Sequence, residues 1–259
     1  MQSGAGGRLV HGFGDDSVMD DIVTCGVALY RQEKVAEAER ILAGAKEAAG
    51  VPLTARIHCR VLFSGDARRR SEWANVSAER VNEMIRELCR DLQPLGERPL
   101  VAVIDPRSVP VVPAAGGAPE IRLTDKGIAS TAYQAVLPFL YMRYGPDGYR
   151  LWIDPEKTRI PWGARHQRAD STRGIFVDFA PTMRPLAEPI ELQPEVQEPK
   201  PSLLEVADVY AYVTARAHAS RGGRQGKYFE ELFGVVNPEV VRTAHQNPNP
   251  QWVRAKRSR

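Results

Sequence analysis

The chain has 259 residues, with 35 Lys plus Arg against 32 Asp plus Glu, a formal balance of +3, and 43% apolar residues. That is enough for a substantial core and excludes a globally disordered chain. No apolar run approaches the roughly 20 residues of a membrane span, and no basic stretch leads into a greasy N-terminal segment. Neither a membrane helix nor a secretory signal is therefore expected. Cys25, Cys59 and Cys89 are far apart and form no Cys-x-x-Cys. They are expected as small buried hydrophobes in a reducing cytoplasm, without a disulfide scaffold or structural zinc.

Leu9–Val10 and Phe13 lead into Gly14-Asp15-Asp16-Ser17, a run of turn formers. Two strands around a sharp break are expected over 8–30, the second being Ile22–Leu29. Residues 35–49 predict a helix with Val35, Ala38, Ile41, Leu42 and Ala45 on one face, stopped by Gly50 and Pro52. Residues 55–62 predict an extended stretch, with Ile57, Cys59 and Val61 on one side and His58 and Arg60 on the other. Ser77 caps a predicted helix over 77–92, whose stripe is Val81, Met84, Ile85, Leu88 and Leu92. Leu100–Ile104 predicts a central strand, followed by a Pro- and Gly-rich loop at 109–119.

A helix over 128–144, broken at Pro138, precedes a strand at Tyr149–Ile153. A basic stretch at 157–173 and a short strand at Ile175–Val177 come next. The proline-rich run 181–201 is expected as an irregular crossing loop. Pro201, Ser202 and Glu205 predict a capping box opening a helix over 202–219. A shorter helix over 224–233 ends at Gly234, and the basic tail is frayed from Gln251. Strands interleaved with helices indicate an α/β or α+β fold.

Four places put a carboxylate at the edge of a predicted element. Asp15 and Asp16 follow the first strand, and Asp105 and Asp154 each end one and precede a proline. Asp208 lies inside the 202–219 helix, where Leu204, Ala211, Tyr212 and Ala215 are its neighbours on the same face. A carboxylate on that packed face needs a cation, an arginine or several donors. Two alternatives fit it: a ligand for a hard divalent cation, or a structural aspartate that caps a neighbouring loop. His58 could order water, receive a proton or ligate metal, and a hydrogen-bonded structural histidine is the alternative. Lys157, Arg159, Arg165 and Arg168 could hold phosphates and Trp162 could stack on a base, while a solvated loop explains them equally.

Asp15-Asp16-Ser17 resembles the Asp-Glu-Ser-Gly opening of the prokaryotic DUF3800 family, whose fold is assigned to the ribonuclease H-like superfamily. Ile22–Leu29 resembles the strand that follows that opening, and Ile57-His58 the family's later Glu-Leu-His segment. Tyr149–Asp154 resembles its late strand ending in aspartate, and Leu203–Val209 its closing motif of the type LQLADL. The resemblance, spread over roughly residues 9–220, implies an α/β fold: a ribonuclease H-like mixed sheet flanked by helices. The expected single domain spans 8–235, with irregular loops at 106–124 and 181–201 and a basic tail at 236–259. The resemblance implies that Asp15, Asp154 and Asp208 hold Mg²⁺ or Mn²⁺, with Asp16 in the place of the opening Glu and His58 in that of the later His.

The expected activity is metal-dependent hydrolysis of phosphodiester bonds in DNA or RNA. Asp16 for Glu, Val18 for Gly, and Ala55-Arg56 where a Glu precedes the His depart from the family pattern. They motivate an alternative, a non-catalytic interaction protein on the same scaffold. A small-molecule phosphoesterase is a third possibility, since the same chemistry serves small esters.

Overall fold

A computed structural model describes residues 9–19, 22–104, 121–123, 132, 135–136, 139–140, 142–144, 149–153, 201–219, 223–242 and 253–255. A hairpin of two ten-residue strands, β1 (Val10–Met19) and β2 (Ile22–Arg31), starts the fold. Four helices follow: α1 (Gln32–Ala48), α2 (Cys59–Leu62), α3 (Gly65–Arg69) and α4 (Ala78–Leu92). Next come β3 (Glu97–Ile104), β4 (Ile121–Leu123) and β5 (Tyr149–Ile153). The chain then forms α5 (Leu204–Ala219), α6 (Gly223–Val236), β6 (Glu239–Arg242) and β7 (Val253–Ala255).

The main sheet has the order β5-β1-β2-β3-β6, and β4 pairs with β7 in a separate ribbon. β1, β2 and β3 form an antiparallel meander, while β5 runs parallel to β1 and β6 parallel to β3. It is thus a mixed sheet with helices on both faces. Strand alternation splits the core in two. Phe13, Ala28 and Tyr30 face α1, α4 and α5. Val10, Val23, Cys25, Val27, Leu29, Leu100 and Ala102 face the helical positions Ala132, Ala135, Val136, Leu140 and Tyr144.

Several elements form as their sequences predict. The stripe of α4 is buried along its whole length, with Cys89 added, and Ser77 Oγ accepts from Arg80 N at 3.1 Å. Each of those side chains contributes roughly 1.5–3 kcal/mol of burial. α1 stops where Gly50 takes a φ of +74°. The three cysteines are buried and free. Among the described residues no helix is long and apolar enough to cross a membrane.

Other expectations are corrected. There is no break at Gly14–Ser17: β1 runs through it, because β2 pairs along its full length and β5 joins at Val10–Gly14. The ladder overrides local turn propensity. The stretch 55–62 is extended only as far as His58, and Cys59–Leu62 is one helical turn. α6 passes Gly234 and ends at Val236, and Asn237 after it has a φ of 45° and donates its N–H to Phe233 O. The sheet takes in Glu239–Arg242, beyond the boundary expected at 235, and Val253–Ala255 forms a strand within the expected frayed tail. The expected loops at 109–119 and 181–200, the break at Pro138 and the strand at 175–177 lie outside the described residues.

Candidate active site

α5 lies directly on the hairpin. A Cβ placed on Gly26 would stand 2.8 Å from Ala211 N and 3.0 Å from Ala207 O, so glycine lets the helix backbone touch β2. Beside it, Thr24 Oγ1 donates to Ala211 O at 2.9 Å. This seating fixes the face of β1 that α5 covers. Asp15 pairs with Gly26, so its side chain belongs to the α5 face. Asp16 pairs with Cys25 and belongs to the opposite face. Two adjacent aspartates expected to act together are thus divided by the pleat.

Asp208 and Glu205, one turn apart on α5, are both buried. Both carboxylates hold the segment that precedes α2. Glu205 accepts Ile57 N–H at 2.8 Å, and Asp208 Oδ2 accepts Cys59 N–H at 2.7 Å. Lys46 Nζ lies 2.8 Å from Glu205 and also donates to Leu53 O at 3.1 Å. The ion pair is buried, and removing one partner from such a pair costs roughly 3–5 kcal/mol. Glu205 is therefore not half of a capping box. Its backbone N–H donates to Ser202 O, while Ser202 Oγ is 3.4 Å from a Glu39 carboxylate oxygen.

Asp208 Oδ1 is 3.2 Å from His58 Nδ1, and the two side chains are 5% and 52% exposed. The carboxylate is inside and the imidazole meets solvent. With hydrogen on Nδ1, His58 donates to Asp208. Asp15 Oδ1 accepts the Asp16 N–H at 2.7 Å. Burial, then Asp208 by charge and hydrogen bond, pushes the Cys59 thiol well above its usual range, and Asp15 adds to the effect. Both carboxylates therefore lie within electrostatic reach of Cys59.

Among the described residues, no three His, Cys, Asp or Glu side chains group as a metal-ligand set. Asp154, Lys157, Arg159, Trp162, Arg165 and Arg168 lie outside the described residues. Ile153, the residue before Asp154, pairs with Gly14, the residue before Asp15. Sequence reasoning missed Lys46 and the clamping role of Glu205. A glutamate three residues before Asp208 in an otherwise apolar stretch was the available signal, and nothing local marks Lys46. No family model, curated protein or solved structure matches the chain.

Proposed function

We propose that this protein is a divalent-metal-dependent nuclease with a ribonuclease H-like core. The meander β1–β2–β3 with β5 added parallel beside β1 supports that core. One observation carries the function. α5 is seated on β2 at Gly26, which puts buried Asp208 on the same sheet face as Asp15, with solvent-facing His58 against its carboxylate.

Hard carboxylate oxygens suit Mg²⁺ or Mn²⁺. Asp15 and Asp208 would be two holders, and Asp154, next in sequence to Ile153, the third. The bound metal would supply a water of lowered pKa and offset charge at the phosphate. Asp208 holds His58, and His58 moves a proton at Nε2. Asp16, on the other face, takes no part in that set. The substrate is the phosphodiester backbone of DNA or RNA.

The test is cleavage of end-labelled single-stranded, duplex and hybrid oligonucleotides with Mn²⁺, Mg²⁺ or chelator. Asp15→Asn and Asp208→Asn should each slow cleavage by at least about 100-fold, because losing a metal holder costs several kcal/mol of transition-state stabilisation. Wild-type rates in either folded variant, or equal rates in chelator, would sink the assignment.

A second reading has its own observation. Both Asp208 oxygens already have partners, Cys59 N–H and His58, and Glu205 beside it does a purely structural job. A non-catalytic scaffold would use these carboxylates only to pin the 51–59 segment. It expects no turnover with any metal and folding defects alone in the variants.

A further inference from the structure

We propose that the exposed arginines beside His58 hold the phosphate backbone of a nucleic acid and lead it to Asp208. This inference rests on the nuclease reading and names the surface that would bind its substrate.

Residues 56–70 contain Arg56, Arg60, Arg68, Arg69 and Arg70 with Asp66 as the one acid. Across 55–60 burial alternates strictly: Ala55, Ile57 and Cys59 are buried, while Arg56, His58 and Arg60 are exposed. The inward members are held by Glu205 and Asp208 through Ile57 N–H and Cys59 N–H, so the outward members project from a clamped backbone. Trp73 Nε1 donates to Arg56 O at 3.0 Å, folding the chain after Arg70 back against Arg56.

Arg69 pairs with Asp66, and Arg68 donates to Leu62 O at 2.6 Å. Arg56, Arg60 and Arg70 form no ion pair among the described residues. Exposed Arg40 and Arg90 are likewise outside any ion pair among the described residues, whereas the half-buried Arg31 and Arg80 meet Glu97 and Glu83, and Arg143 meets Glu239. Arg56 and Arg60 flank His58 in the chain, and His58 Nδ1 lies 3.2 Å from Asp208 Oδ1. The positive rim therefore adjoins Asp208.

Exposed guanidiniums outside any ion pair among the described residues, carried by a backbone held at Ile57 and Cys59, suit a chain of phosphates. Binding of that kind releases counterions, with a salt slope of about −0.7 per phosphate contact for single strands.

The experiment is fluorescence anisotropy of a labelled single-stranded oligonucleotide with the full chain in EDTA, across a salt series. Wild type is compared with the triple variant Arg56→Gln, Arg60→Gln, Arg70→Gln. A charge-matched control carries Arg40→Gln, Arg90→Gln and Lys227→Gln, all exposed positions elsewhere. Folding of each is checked by thermal midpoint.

The expected result is weaker binding and a salt slope shallower by about 2 for the first triple, with the control near wild type. Equal losses in both triples, or none in the first, overturn the proposal while leaving a nucleic-acid substrate in place. Equal competition by polyglutamate overturns it in favour of an acidic protein partner. No binding by wild type also overturns it. The nuclease reading is then judged separately, by metal-dependent cleavage in Asp15→Asn and Asp208→Asn.

Discussion

At the residue scale, substitution can separate the structural job of Asp208 from its proposed metal-holding role. Asp208→Ala leaves Cys59 N–H without its acceptor, and a buried unsatisfied group costs roughly 1–3 kcal/mol. Asp208→Asn keeps a carbonyl oxygen for that N–H but loses the charge. Urea unfolding should therefore show the alanine variant less stable than the asparagine variant, while both lose any metal-dependent activity. His11 offers a test by pH. It sits on β1 beside Phe13, and burial, then Arg150, holds its pKa below the usual 6.5. The unfolded chain takes up the proton first, so this contribution is complete above about 6.5 and is lost as pH falls through the lower folded value. Thermal midpoints measured between neutral and mildly acidic pH should fall, and His11→Gln should flatten that part of the curve. An unchanged curve would contradict the assignment to His11.

At the element scale the seating of α5 on β2 decides whether Asp15 and Asp208 can share a corner. Gly26→Ala puts a Cβ against helix backbone, at 2.8 Å from Ala211 N, and backbone cannot give way as a flexible side chain can. Overpacking of this kind costs typically 1–3 kcal/mol. The variant should be destabilised by about that amount in urea unfolding, and any cleavage should fall further than stability does. A neutral Gly26→Ala would show that the contact is not tight. The elements differ in how legible they were. α4 was plain because all of its periodic apolar positions face one core. β1 was not, because Gly14, Asp15, Asp16 and Ser17 are turn formers by themselves and become strand only through pairing with β2 and β5. The strand ending expected at Phe13 hid the fact that Asp15 and Asp16 point to opposite faces.

At the scale of the whole molecule, the candidate site joins the first strand, the segment before α2 and a helix that starts beyond residue 200. Asp15, His58 and Asp208 could each be chosen from the sequence, Asp208 because its helical neighbours are apolar or small. What held them together could not. Lys46 meets Glu205 across 159 residues, and β6 enters the sheet beside β3 from a segment that reads as a tail. Pairings of that range leave no periodic trace in the chain. The central claim is that this assembly is a metal centre, and it is tested most directly by Mn²⁺ calorimetry on metal-stripped full chain. The titration is run with and without a saturating single-stranded oligonucleotide, for wild type, Asp15→Asn and Asp208→Asn. Saturable binding by wild type, lost or strongly weakened in both folded variants, is the expected result. Absence of binding in either condition, or binding unchanged by both substitutions, would contradict it.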